Sequence, residues 1–404
     1  MKTFIASVAA LIAGISCTPM NQANSGTDEP AKDLPALSRT EIRATSQAAE
    51  SINRLAFRLA NVAHTTPGEN RLISPYSIWT CLALLREGTA GESKNLLSEA
   101  LFANPSTASD AIDGQRILGQ RMVGTGSFTT ANSIWLIGNL SLKSPYVQTA
   151  NQQFAAEIRE TASPAETVGL INDWVKSKTK DRIQKLFDIL TNDTQLVLAN
   201  ALTFDGKWET TFDKSRTKNL DFTTTNGKVS VPTLSDARVL YFSSIDGAKM
   251  IRLDYAGGEF GLEILLPKPG APLVAQADQW KALSSSLKVA QNVPIQLPKF
   301  KLSDELDLRE PMAALGLGPL FDAIDITTMT DAMPKAALDQ AVHKTFIELD
   351  EEGTKAAAVT GLSVQSVVSI QEFDFIADRP FLYAIKHIPS GTILFLGAIE
   401  DPSK

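Results

Sequence analysis

The stretch Asp350–Phe373, DEEGTKAAAVTGLSVQSVVSIQEF, decides how this chain is read. It opens with three carboxylates and a glycine, runs through small residues, and turns strand-prone in its second half. It lies between two well-formed strand candidates, AVHKTFIELD and RPFLYAIKH. Ordered loops rarely exceed about 15 residues without a function. The cluster Asp350-Glu351-Glu352 lacks the alternating oxygen ligands of a calcium loop. Propensity alone favours helix over Lys355–Ala358, and an idle surface loop is the other bland reading. The alternation points elsewhere. Every second residue from Thr354 (Thr354, Ala356, Ala358, Thr360, Leu362, Val364) is uncharged, and the first four are small. As a strand, that face can slide over a packed core without burying a charge.

The rest of the chain narrows the function by exclusion. Its 404 residues, 44% of them hydrophobic, can bury a large core. A net charge of −7 with no Lys/Arg cluster argues against nucleic acid as a partner. Cys17 and Cys81 make no disulfide framework, and His64, His343 and His387 lie too far apart for a zinc pattern. There is no G-x-S-x-G, no phosphate-binding loop and no dinucleotide fingerprint. Nothing reads as an enzyme, and no metal or cofactor is called for.

The N-terminus reads as an export signal. MKTFIASVAALIAGISC has Lys2, an apolar run from Phe4 to Ile15, and small residues before Cys17. The run is too short to span a bilayer comfortably. It resembles a bacterial lipoprotein signal, in which the cysteine becomes the lipidated first residue. Gly14 stands where that motif usually has Leu. The expected organisation is a signal over 1–17, a flexible tether over 18–40 and one domain over 41–404. The tether would reach roughly 26 Å. The protein is then exported, as a cell-envelope lipoprotein held by Cys17 or as a secreted protein. With Cys17 lipidated, Cys81 is a buried apolar residue rather than a reactive thiol.

Periodicity supplies the elements. Ile52, Leu55, Ala56, Leu59, Ala60 and Ala63 recur at helical spacing. SPYSIWTCLALLREGTAGES begins with a capping Ser and a Pro and runs apolar on nearly every side to Gly88, so it reads as a buried helix. AETVGLINDWVKSKTKDRIQKLF reads as one long amphipathic helix with a basic outer face. QLVLANALTF reads as a strand buried on both faces. KMIRLDYAG, FGLEILLPK, VPIQLPKFKL and TILFLGAIE are further strands. Helices dominate the first half and strands the second, an α+β pattern with mostly antiparallel sheets.

These motifs, in this order, resemble the serpin family. AVHKTFIELDEEGTKAAAVTG is similar to its strand-plus-hinge signature. SPYSIWTCLALLREGTAGES, INDWVKSKTKDRIQKLF, LVLANALTFDGKWETTF, LPKFKL and FIADRPFLYAIKHIPSGTILFLGAIEDP match in sequence order. The resemblance implies a serpin fold of three β-sheets with eight or nine helices and an exposed reactive loop. It implies a monomeric suicide inhibitor that forms a covalent complex with a target serine protease. After cleavage the hinge enters the largest sheet as a new strand.

Residue by residue, the resemblance makes Glu351, Gly353, Thr354, Ala356, Ala357 and Ala358 the hinge. Ser74, Ser77, Asn200 and His343 become a polar cluster beneath the opening sheet. Trp208 marks the start of insertion, and Lys299 is the ion-pair partner of Glu351. Lys355 stands where the family often has Glu. Counting forward from Gly353 puts the reactive bond at Val367-Val368. Counting back from Pro380 gives Ser369, and Ser366 is the other fallback. No Arg or Lys lies between Lys355 and Arg379, so an elastase-like or subtilisin-like protease suits the loop better than a trypsin-like one. The alternative is a non-inhibitory serpin that binds a ligand or a folding client. Such members often have bulky, charged or proline-containing hinges, unlike this one.

Overall fold

A computed structural model of the chain describes residues 36–63, 66–332, 336–354 and 373–404. The first helix begins at a capping box. Ser38 N–H donates to the Glu41 carboxylate at 2.8 Å, and Glu41 N–H donates to Ser38 Oγ at 3.3 Å. Helix α1 (Arg39–Ala60) follows and takes in the last two residues of the expected tether. β1 (Arg71–Ile73) leads directly into α2 (Pro75–Glu87), which is capped by Ser74, opened by Pro75 and stopped at Gly88. α3 (Gly91–Leu101) and α4 (Ala108–Gly124) come next. β2 (Phe128–Ile137), α5 (Ser144–Phe154), β3 (Ala156–Thr161) and α6 (Pro164–Lys178) alternate.

Strands then take over. β4 (Leu196–Phe204) and β5 (Gly206–Lys207) are followed by β6 (Lys218–Thr224), β7 (Gly227–Ile245), β8 (Ala248–Asp254) and β9 (Phe260–Leu266). α7 (Ala277–Ser285), β10 (Lys288–Pro298), β11 (Phe300–Asp307) and the short α8 (Arg309–Met312) lead to β12 (Val342–Leu349) and β13 (Gly353–Thr354). β14 (Phe375–Ile376), β15 (Phe381–His387) and β16 (Thr392–Ile399) complete the chain. The described residues thus hold eight α-helices in an α+β arrangement.

The largest sheet has nine strands, in the order β1-β16-β15-β9-β8-β7-β10-β14, with β6 added on β7. Its pairs are antiparallel except β10 with β14. α1 and α2 pack on β16, with Ile52, Leu55, Tyr76 and Trp79 fully buried. A three-stranded set, β3-β2-β4, is covered on its far face by α6, whose Ile171, Trp174 and Val175 meet Trp135, Val197 and Ala199. β11 pairs with β12, and β13 with β5. The strands therefore form four hydrogen-bonded sets among the described residues, where the resemblance implies three sheets. No ladder joins β4 to β12, and the β5–β13 pair stands apart from both.

Three local readings of the sequence change. The long helix expected from Ala165 to Phe187 stops at Lys178. Thr179 Oγ1 donates to Val175 O (2.8 Å) and accepts from Ile183 N–H (3.0 Å), taking the donor that another helical turn would use. Lys180 and Asp181 then adopt φ of +50° and +63°. The expected basic face is mostly paired, as in Lys178 with Glu157 and Lys176 with Asp181. VPIQLPKFKL is not one strand, because the chain changes sheet at Lys299, whose N–H donates to Pro232 O. β4 is buried on both faces only in its second half, since Leu196, Leu198 and Asn200 stay half-buried.

Candidate functional site

β4 and β12 run side by side in the same direction. Among the described residues no ladder bonds join them. Between their N-terminal halves lies a cavity of about 660 Å³. Leu196, Leu198 and His343 line its flanks, and Ile78, Cys81 and Leu82 of α2 form its floor. Its lower end is clasped by Thr191 and Thr194, whose hydroxyls donate to Asp339 Oδ2 at 2.9 and 3.2 Å. Cys81 is partly buried, and burial pushes its thiol up to about 12. It is therefore a protonated wall residue at neutral pH.

The N-terminus of α2 reaches both strands from below. Ser74 N–H donates to His343 Nε2 at 2.9 Å, so that nitrogen is the unprotonated one. Ser74 Oγ donates to Leu394 O at 2.8 Å and accepts from Ser77 N–H at 3.3 Å. Ser77 Oγ donates to Asn200 Oδ1 on β4. Asn200 Nδ2 donates to Asn132 Oδ1 at 2.8 Å and to Thr130 Oγ1 at 3.2 Å. Ser74, Ser77, Asn200 and His343 thus sit in one connected network, which extends to Asn132 and Thr130.

The upper end of the cleft is built around a tight turn. Asp350 Oδ1 accepts from Glu352 N–H (2.8 Å) and Gly353 N–H (3.2 Å), and Asp350 N–H donates to Gly353 O. Gly353 has φ +149°, and a Cβ there would stand 2.2 Å from Gly206 O. The turn lets β13 run back antiparallel to β5, with Gly353 opposite Lys207 and Thr354 opposite Gly206. Thr354 is 4% exposed, and its Oγ1 lies 2.8 Å from the Tyr255 hydroxyl. The Trp208 indole donates to Asp350 O (2.9 Å), and its ring stacks on Tyr255 at 4.6 Å.

Glu351 is buried at the same end. It accepts from Lys299 Nζ and from Thr217 Oγ1, both at 2.8 Å. Burial pushes its carboxyl up, but Lys299 and Thr217 together outweigh that and hold it below the usual 4.5. Glu352 points outward to Lys214.

Two clusters therefore form, one under the cleft and one at its top. Glu351, Gly353, Thr354, Trp208 and Lys299 make up the second. Cys17, Ala356, Ala357, Ala358, Ser366, Val367, Val368 and Ser369 lie outside the described residues. Reading the sequence missed Tyr255, Thr217 and Asn132. Tyr255 carries a faint signal, an aromatic at a strand's end directly before AGG. The cleft suits an extended chain, with unjoined strand edges on both sides and an apolar cavity beneath.

Comparison with known proteins agrees with this architecture. The chain is 31% identical over 381 residues to Serpin-Z7 of Hordeum vulgare, covering 87% of this chain and 95% of that protein. It is 32% identical over 375 residues to Iripin-1 of Ixodes ricinus, covering 86% and 93%. Among solved structures, tengpin, a thermophilic serpin in the native state, matches in fold with a TM-score of 0.76 at 24% identity, over 91% of this chain and 95% of tengpin. Human glycosylated kallistatin matches with a TM-score of 0.76 at 25% identity, over 90% and 99%. This fold is characteristic of non-catalytic protease inhibitors. With the family profile described as Serpin (serine protease inhibitor) matching residues 50–402, the chain belongs to the serpin family.

Proposed function

We propose that this protein is a single-use inhibitor of serine endopeptidases that traps the protease as an acyl-enzyme. One observation carries the reading. β4 and β12 face each other without ladder bonds, while Gly353-Thr354 already pairs antiparallel with β5 at the top of the gap. An entering strand would continue that register downwards. Thr360 would then stand opposite Asn200, Leu362 opposite Leu198, and Val364 opposite Leu196. In that register the residues turned toward the core would be small above the Ser74–Ser77 network and larger where the cavity opens. Insertion from Thr354 to Val367 would carry the cut end roughly 46 Å. The driving force is new ladder hydrogen bonds and apolar burial.

The reactive bond we favour is Val367-Val368, with Ser366 and Ser369 as the alternative positions. Its small apolar residues and lack of Arg or Lys fit the pocket of an elastase-like or subtilisin-like protease. Mixing the protein with a panel of serine proteases tests this. Expected is a covalent complex that survives boiling in detergent, with a released peptide starting at Val368. Thr354→Arg, which puts a charge at a buried position, is expected to give clean cleavage with the protease left active. Clean cleavage of the unaltered protein by every protease would overturn the proposal and favour a non-inhibitory binding role. We also read the chain as exported, with Cys17 as the lipid attachment point; the lipoprotein-like N-terminus supports this.

A further inference from the structure

At the upper end of the cleft one residue, Tyr255, has no role assigned so far, and its geometry is specific. Tyr255 is 1% exposed. Its ring is held between Trp208, stacked at 4.6 Å with an 11° interplanar angle, and Phe204, edge-on at 4.8 Å. Gly206 makes room for it, since a Cβ there would stand 2.7 Å from the Tyr255 ring. Clamped in this way, the hydroxyl cannot swing out to water. The hydrogen-bond partner it has among the described residues is Thr354 Oγ1, at 2.8 Å. Thr354 is equally enclosed, at 4% exposure.

We propose that the Tyr255 hydroxyl is a positioning group that seats Thr354 in the uncut chain, so that insertion starts from a formed first rung. Its consequence for trapping rests on the function proposed above, while the seating itself does not. If Thr354 leaves the slot, the Tyr255 hydroxyl is left buried without a partner, which is strongly unfavourable. The slot therefore selects a hydroxyl at position 354 as well as a small side chain. Size alone would accept valine, which has the shape of threonine. The hydroxyl requirement rejects it.

The race after cleavage is between hydrolysis of the acyl bond and entry of the hinge. A hinge whose first residue is already paired to β5 begins that race one step ahead. A looser first residue gives hydrolysis more time, so more inhibitor is cut for each protease trapped.

The test uses the full chain with Tyr255→Phe, Thr354→Val, Thr354→Ser and the Tyr255→Phe/Thr354→Val pair. Two quantities are read: the thermal midpoint of the uncut protein, and the number of molecules consumed per molecule of pancreatic elastase trapped. Tyr255→Phe and Thr354→Val are each expected to lower the midpoint and to raise consumption by up to about tenfold. The paired variant should be no worse than the poorer single one, because both changes remove the same bond. Thr354→Ser should behave like the unaltered protein. Additive losses in the paired variant would overturn the inference, as would Thr354→Ser behaving like Thr354→Val. If the unaltered protein is cut without trapping, the inhibitory function fails. The coupling in the thermal midpoint then still decides whether Tyr255 seats Thr354.

Discussion

Glu351→Gln isolates the electrostatic contribution at the top of the cleft. The amide keeps the shape of the carboxyl and removes its charge. In the native protein the carboxylate accepts from Lys299 and Thr217, and burial opposes it. Hydrogen bonds to a buried charge contribute about 1.5–3 kcal/mol each. The Lys299 side chain is 32% exposed, so solvent screens part of its attraction. The net loss at pH 7 should be about 2 kcal/mol. Unfolding entropy is about 2.1 cal/mol/K per residue, so a domain of roughly 350 residues would melt about 3 °C lower.

The pH dependence has a definite sign. The folded-state pKa of Glu351 is lowered, so its contribution is fully present above the unfolded value near 4.5. It disappears as pH falls through the lower folded value. Melting curves of the native and Glu351→Gln proteins should stay a constant distance apart from pH 8 to about pH 5.5, then converge on acidification. Equal midpoints at pH 7, or a gap that persists unchanged well below pH 4, would refute the reasoning.

Three other perturbations test separate parts of the structure. Gly353→Ala places a Cβ 2.2 Å from Gly206 O, so β13 must leave β5; a loss of about 2 kcal/mol in urea titration and more cleavage per trapped protease are expected. Asn200→Ala unpairs Ser77 and Asn132 beneath the cleft and should cost about 2 kcal/mol by the same titration; an unchanged midpoint would show that water replaces the amide without loss. Cells fed a labelled fatty acid should label the native protein and not Cys17→Ser, and equal labelling of both would remove the lipid anchor from the reading.

How much of this was legible in the sequence depended on distance along the chain. The boundaries of α2 are local, set by Ser74, Pro75 and Gly88, and the structure keeps them. β12, β15 and β16 likewise follow from their own residues. The failures came where one side chain diverts the backbone. Thr179 does so at the end of α6, and its identity as a helix-ending Thr is invisible to apolar periodicity. The sequence of β4 cannot show that half of it borders a gap. Only the family resemblance joins Ser74, Ser77, Asn200 and His343 in the sequence, since no spacing unites positions 269 residues apart. Tyr255 and Thr354, 99 residues apart, had neither resemblance nor pattern to join them.

The cap of α2 has a mechanical consequence. Ser74 holds β12 through His343, and Ser77 holds β4 through Asn200, within a single helical turn. The helix therefore ties the two edges together at one point of its length. If the gap widens during insertion, these two contacts on one turn are the ones that must be broken or re-made. A change of one hydroxyl in the floor, far from the turn at Asp350–Gly353, should alter the resting aperture along the length of both strands.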